Sequence, residues 1–347
     1  RKQVQNQRTH GAAGNLQDEK AAGCKHPAAL LWLLIQNALD TAICAVLFLR
    51  RNPTKGEPDK PVPLKRDRIS DGVYVFTSGL YAEVTATIIL TDEGAILVDT
   101  LPFPQETRQI RDFVTQRRTK VDYVINTHSH ADHIYGTYLF PDAVVIAHYQ
   151  CRRLMERHAE AALQQAKEQT PALAEVQIRY PELLFNEGMT LRFGGKTVEL
   201  RYAPGHSKDV ITVHVVEDRL LVASDAVMPV PYVVGGDLDD MIRSLQTMKG
   251  LSLENLVQGH GEVLLRGEIE ETLEAGIHYL RMVDRLVRER IARGVARNNI
   301  LDITIEECGL SRIPLGGLVQ KLHQANLLTL YDAYRSEIKP RRAAAAS

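Results

Sequence analysis

The 347 residues, 44% of them hydrophobic, suffice to bury one core domain of about 200–250 residues with appendages. A formal net charge of -1 excludes the strong overall field that draws a protein to nucleic acid or to an anionic membrane. The four cysteines, Cys24, Cys44, Cys151 and Cys308, are widely spaced without a CxxC pair, which favours a reduced, cytoplasmic protein over a disulfide framework.

Residues 1–27 are polar. The apolar stretch 28–49 is long enough to span a bilayer, yet Gln36, Asn37, Asp40 and Thr41 sit at its centre, where polar groups are costly. Three readings stand side by side: a membrane anchor or export signal, an amphipathic helix packed on another surface, or residues preceding the true start. Residues 52–65 carry four prolines among charges and read as an extended linker. Residues 1–65 are therefore an N-terminal extension, and an ordered domain begins near Arg66.

Short apolar runs then predict strands at 73–77, 84–90 and 95–99, with Thr91-Asp92-Glu93-Gly94 as a hairpin turn. Residues 104–119 predict a helix with Ile110 and Val114 on one face. A strand at 121–126 runs straight into a histidine cluster, and another follows at 144–147. Residues 149–180 are charged with sparse apolar points, which predicts solvent-facing helices and a lid spanning 149–185. Strands return at 189–193, 198–202, 211–216 and 219–223. A helix over 237–248, capped by an aspartate, leads to a last strand at 256–258. From Glu268, Ile277, Leu280, Val283, Val287 and Ile291 recur at helical spacing, and a second helix is expected over 314–339. The strand and helix alternation puts helices outside a sheet, and the strand-rich halves on either side of the lid can be two layers of one sandwich. A domain at 66–267 and a helical region at 268–347 follow. Those last helices either cover the active site or form a homodimer; periodicity does not decide.

The run His128-Ser129-His130-Ala131-Asp132-His133 carries the chemistry. Four metal-competent side chains fall on a loop delivered by a strand, and imidazole with carboxylate suits zinc and similar divalent ions. Residues two apart in an extended turn point the same way, so His128 and His130 can share one ion while Asp132 and His133 turn to a neighbour. Downstream, His206, Asp225 and His260 each follow directly on an apolar run, where a rigid scaffold presents functional groups.

This set, with Val98-Asp99-Thr100, resembles the metallo-β-lactamase superfamily over roughly residues 70–265, in particular its glyoxalase-II-like and lactonase-like hydrolases. The resemblance implies an αββα sandwich with a dinuclear site between two sheets and a C-terminal helical extension. It implies one metal on His128, His130 and His206, a second on Asp132, His133 and His260, and Asp225 bridging both. Asp132 and Asp225 are then the catalytic carboxylates, and Asp99 supports the site from behind. The ions are two divalent cations, zinc first, with manganese, iron or cobalt as alternatives.

Residue types separate this chain from some relatives. Antibiotic-degrading enzymes with a cysteine ligand need one near Asp225, and flavodiiron proteins carry glutamate where His130 stands. Acyl-homoserine lactonases place a tyrosine three residues after the bridging aspartate, where this chain has Met228; Tyr232 is out of register. Among other histidines, His148 and His214 read as structural and His158 as solvated, while His278 and His323 could face the cleft. Tyr81, Phe103 and Tyr232 are candidates for pocket walls.

The implied reaction is attack by a metal-bridging hydroxide on an ester, thioester or lactone of a small molecule. Phosphodiester, phosphotriester or β-lactam hydrolysis on the same site is the alternative, followed by a mononuclear iron dioxygenase and an inactive scaffold. The lack of a basic, aromatic-interleaved stretch argues against nucleic acid.

Overall fold

The computed structural model describes residues 64–338 and the short strand β1 (Val4–Gln5). The apolar segment 28–49, nearly all of the proline-rich stretch, Cys24 and Cys44 lie outside the described residues. Among the described residues, no helix is long and apolar enough to cross a membrane.

One sheet runs in chain order: β2 (Lys65–Ser70), β3 (Val73–Thr77), β4 (Thr85–Leu90), β5 (Ala95–Val98), β6 (Val121–Ile125), β7 (Val144–His148) and β8 (Leu183–Phe185). The second holds β1 beside β9 (Gly188–Phe193), then β10 (Lys196–Tyr202), β11 (Ile211–Val215), β12 (Leu220–Ser224), β13 (Asn255–Gln258) and β14 (Val263–Leu265). The antiparallel steps use tight turns, such as the one closed by Thr91 N–H donating to the carbonyl of Gly94 at 2.8 Å. A parallel step needs a longer crossover. Helix α1 (Pro104–Gln116) supplies it between β5 and β6. The one-turn α2 (Ala131–Ile134) and the long α3 (Tyr149–Gln169) flank β7. Helix α4 (Leu238–Lys249) supplies the crossover between β12 and β13, and Asp237 caps it by accepting from Asp240 N–H at 2.8 Å. Helices α5 (Arg266–Ala292) and α6 (Val319–Tyr334) close the chain.

Alternation along the strands decides what lies between the sheets. Val75, Ile96, Val98 and Ile125 of one sheet pack against Leu191, Leu200, Val213 and Val222 of the other. Burying each such side chain contributes roughly 1.5–3 kcal/mol. Ile110, Phe113 and Val114 of α1 cover the outer face of the first sheet over Ile88 and Leu97. Helices α4, α5 and α6 share a core with the second sheet and the 226–234 loop. The layers are αββα, as the family resemblance implies, with a C-terminal helical region added.

Three expectations need correction. Strand β2 is a charged, largely exposed edge strand whose first residue fell inside the expected linker. The 149–185 stretch is not all lid: α3 buries Cys151, Met155, Ala159 and Leu163, and Leu183–Phe185 pairs in parallel with β7. The last helix starts at Val319 rather than 314, because Gly316 and Gly317 adopt φ of +60° and +87°, which an α-helix cannot continue. Cys151 and Cys308 are buried, free thiols.

Candidate metal centre

Every histidine and aspartate of the expected ligand set lies in a connection that follows a strand, and these connections converge on one site. Strand β6 ends at Ile125, and the chain turns through Thr127 to His128. His130 starts the single turn of α2, which carries Asp132 and His133. His206 follows β10, Asp225 follows β12 directly, and His260 follows β13. Two groups result, His128, His130, His206 and Asp225 in one and Asp132, His133 and His260 in the other, each with its donor atoms within 4.8 Å of one another.

Asp225 joins the groups. Its Oδ2 lies 3.3 Å from His206 Nε2, 3.6 Å from His260 Nε2 and 3.9 Å from His128 Nε2, and its Oδ1 lies 3.3 Å from His133 Nε2. In the second group, Asp132 Oδ2 is 3.3 Å from His260 Nε2 and 3.7 Å from His133 Nε2. His206 Nε2 is 3.0 Å from His130 Nδ1. Ligands at about 2.0–2.1 Å from one tetrahedral ion sit about 3.3 Å apart, so these spacings suit a shared cation.

The outer nitrogens explain why the inner ones are free for that role. His133 Nδ1 donates to Asp99 Oδ2 at 2.9 Å, His206 Nδ1 to the carbonyl of Tyr232 at 2.9 Å, and His260 Nδ1 to the carbonyl of Ala82 at 2.9 Å. His128 Nδ1 is 3.1 Å from Thr127 Oγ1, whose proton goes to Asp99 Oδ2 at 2.8 Å. Each of these bonds fixes the tautomer and aims Nε2 inward. Among the described residues, His128 Nε2, His133 Nε2 and Asp225 Oδ1 are buried with no hydrogen-bond partner. Buried polar atoms are ordinarily satisfied, and a cation is what would satisfy these three together. Gly259 packs so close to Asp225 that an added Cβ would collide with Oδ1. The donors present therefore fit divalent metal.

Electrostatics point the same way. Burial alone would lower the pKa of His260, but Asp225 and Asp132 outweigh it and raise it to about 10. Burial likewise opposes, and the carboxylates of Asp132, Asp225 and Asp99 overcome, to hold His133 well above its ordinary value. Burial would raise Asp132, but His133 and His260 bring it down to about 2. Asp225 is also held well below its ordinary value, as His133, His260 and His206 outweigh its burial. Burial pushes His206 down to about 4 and His128 well below 6.5. The site thus keeps both carboxylates ionised and two imidazoles neutral.

Other expected residues separate. His148 is structural: Nε2 contacts the carbonyl of Asn186 at 2.5 Å, and its ring stacks on Tyr202 at 4.4 Å. His323 is buried between Tyr279 Oη (2.9 Å) and the carbonyl of Ile303 (3.0 Å), away from the metal groups. His214 sits in β11, 3.6 Å from Glu199, and His278 lies in a surface depression with Lys249 and Glu274. His158 is not simply solvated; with Tyr81 and Phe103 it lines a cavity of about 370 Å³ that opens onto His130, Asp132 and His206. Tyr232 contributes its carbonyl to His206. No residue beyond Gly235 lines the cavity among the described residues, so α5 and α6 do not cover it.

Sequence reasoning missed two buried carboxylates. Asp209 accepts from Ser129 N–H at 2.7 Å and Ser207 Oγ at 2.6 Å, tying the loops of His128–His133 and His206 together. Glu106 accepts from Ser78 Oγ at 2.6 Å and Gly79 N–H at 2.9 Å, anchoring the loop whose Leu80 and Tyr81 wall the cavity. An aspartate opening an apolar strand, as Asp209 does, was the available signal.

Comparison with known proteins gives the same direction. The chain is 27% identical over 240 residues to the lactamase-like protein nscB of Trichophyton rubrum, covering 67% of this chain and 68% of that one. It is 25% identical over 215 residues to the beta-lactamase-like protein 2 homolog of Caenorhabditis elegans, covering 59% of this chain and 66% of the nematode protein, just under two thirds of its length. In fold it resembles a metallo-beta-lactamase from Pontibacter korlensis, with TM-score 0.52, 20% identity, and 61% of this chain and 98% of that one covered. It also resembles the DIM-1 metallo-beta-lactamase, with TM-score 0.51, 17% identity, and coverage of 62% and 97%. The family model described as the metallo-beta-lactamase superfamily matches residues 82–267, over half of the chain and inclusive of every strand end named above. The chain belongs to the metallo-beta-lactamase superfamily, and its two His/Asp groups could each hold a metal ion.

Proposed function

We propose that the chain is a dinuclear metallohydrolase that cleaves an ester, thioester or lactone bond in a small molecule. The observation that carries this reading is Asp225, set within reach of both ligand groups. His128, His130 and His206 would hold one divalent ion, Asp132, His133 and His260 the other, and Asp225 both. Zinc is the first candidate, with manganese, iron and cobalt as alternatives.

Divalent ions bound there would bring the pKa of a water toward neutrality and polarise a carbonyl oxygen. The chain supplies the rest. Asp99, Tyr232 and Ala82 keep the imidazoles of His133, His206 and His260 turned inward, so the donors are in place before substrate arrives. Asp132, half-buried on the cavity wall and ionised, is the carboxylate that can orient a water against the substrate. Cavity walls from Leu80, Phe103 and Tyr135 limit water and so strengthen every charge interaction inside. A partly open, largely apolar cavity suits a small acyl compound better than a polynucleotide.

Elemental analysis of the purified chain should give about two metals per molecule, and a stoichiometry near zero would refute the reading. Chromogenic esters, thioesters, lactones, β-lactams and phosphoesters offered to the loaded protein then test the bond type. Turnover confined to β-lactams or phosphoesters would overturn the acyl assignment.

A further inference from the structure

The hydrolase reading leaves open which acyl compound is cleaved, and α3 narrows it. The helix shows two stripes with four-residue spacing. Cys151, Met155, Ala159 and Leu163 are buried in the core. One position round, Leu154, His158, Ala162 and Ala166 line the cavity. Residues four apart share one helical face, so this second stripe is a continuous wall about three turns long. Ala162 and Ala166 are only half-buried. Their short side chains leave open a volume that larger residues would fill. The wall is apolar or small except for His158, whose burial lowers its pKa and keeps it neutral at pH 7.

The ionic character of the cavity is one-sided. Asp132, at the metal groups, is the only carboxylate among its described lining residues, whereas Arg157 and Lys208 line it too. Neither cation has an ion pair among the described residues, whereas Arg152 on the same helix pairs with Glu156. Apolar walls take up apolar surface released from water, and an unpaired guanidinium or ammonium gains most from an anion.

Resting on the hydrolase reading, we propose that the substrate is an amphipathic acyl compound. Its carbonyl lies at His130, Asp132 and His206, its apolar acyl part runs along the 154–166 face of α3, and a carboxylate or phosphate elsewhere in the molecule pairs with Arg157 or Lys208. Water adds to the acyl carbon, the acyl C–O or C–S bond breaks, the leaving oxygen or sulfur takes up one of the water's protons, and the carboxylate and the other proton are released. No redox partner is needed.

The test uses the full chain loaded with zinc. Acetyl, hexanoyl and decanoyl thioesters are compared, each with a neutral, a carboxylate-bearing and a phosphate-bearing leaving group. Wild type should favour the longer acyl groups and the charged leaving groups, and the two anionic series show which anion is recognised. Ala162→Phe, or Ala166→Leu if the first folds poorly, should lower the decanoyl-to-acetyl ratio of kcat/KM by about tenfold or more. Ala161→Phe, on the exposed side of α3, should leave that ratio where it was. Arg157→Ala with Lys208→Ala should lower the charged-to-neutral ratio through KM and flatten its salt dependence.

Indifference to acyl length, or a ratio unmoved by both alanine replacements, overturns the acyl assignment. An equal change in Ala161→Phe places the effect in the helix rather than the cavity and overturns it too. A charged-to-neutral ratio unchanged in the double variant overturns the anion assignment. Each of these leaves the hydrolase reading standing. If the loaded protein cleaves no ester, thioester or lactone, the hydrolase reading itself falls, and this inference with it.

Discussion

The carbonyl of Tyr232 accepts a hydrogen bond from His206 Nδ1 at 2.9 Å, and so the direction of one imidazole depends on the backbone of a loop. That loop is held from the far end of the chain. Asn326 of α6 donates to the carbonyl of Pro231 at 2.7 Å and accepts from Val233 N–H at 3.0 Å. Tyr279 of α5 sits behind it, 3.1 Å from Asn326 Nδ2. The C-terminal helices thus brace the His206 side of the site without touching the cavity.

Asn326→Ala should therefore do two things. It leaves Val233 N–H and the Pro231 carbonyl without their buried partner, which costs about 1–3 kcal/mol of stability. It also frees the Tyr232 carbonyl, so metal should bind more weakly. Thermal unfolding and chelator competition measure the two effects, and unchanged metal affinity would remove α6 from the site's support.

Asp225→Ala and His128→Ala should each reduce turnover to background while leaving circular dichroism unchanged. Asp225→Ala should also cut bound metal, because the one carboxylate near both groups is gone. Retained activity in either variant refutes the ligand assignment. Asp99→Ala acts one step back, through His133 Nδ1, and should weaken metal binding by about 10–100-fold.

Gly259→Ala probes the same carboxylate sterically. The new Cβ would strike Asp225 Oδ1 and the backbone at 224–225, so the carboxylate and the strand end that carries it must both shift away from the two groups. We expect metal loss comparable to Asp225→Ala, read by elemental analysis. Full metal occupancy would show that the backbone at 259 can yield.

Metal uptake should release protons. His260, raised to about 10, and His133, also raised, both carry a proton at pH 7 in metal-free protein, and a ligating nitrogen cannot. Calorimetry in buffers of different ionisation enthalpy should report about two protons released per chain at pH 7. Without metal, His260 stabilises the fold fully below its ordinary value of 6.5, and that contribution disappears as pH rises through about 10. Asp132 behaves oppositely: its contribution is present above its ordinary 3.8 and is lost as pH falls through about 2. Chelated protein should thus soften at both ends of that range, and unfolding scans across pH check it.

What could be read from the sequence follows from how local each signal is. The Asp237 cap, the 3.6-residue period of α5 and the strand ends before His128, Asp225 and His260 are encoded within a few residues, and the structure places them accordingly. Strand β2 was hidden because an exposed edge strand, KRDRIS, has no apolar alternation to display. The cavity face of α3 was hidden because alanines there mean empty space, which composition registers as weak amphipathicity. Asp209 and Glu106 were missed because the contacts that give them their roles reach 80 and 28 residues away, to Ser129 and Ser78.

The two sheets share a plan. Strands β2 to β6 and β9 to β13 each make three antiparallel steps and then a parallel one, with α1 and α4 as matching crossovers. Even the backbone repeats: Asp99, just past β5, and Ser224, at the end of β12, both take positive φ, 58° and 48°. Each ligand group draws on both halves, with His128–His133 from one and His206, Asp225 and His260 from the other. Neither half alone could complete a coordination sphere. Two ions would then rivet one half to the other, and a chain nicked between β8 and β9 would be expected to stay joined with metal and to part more readily under a chelator.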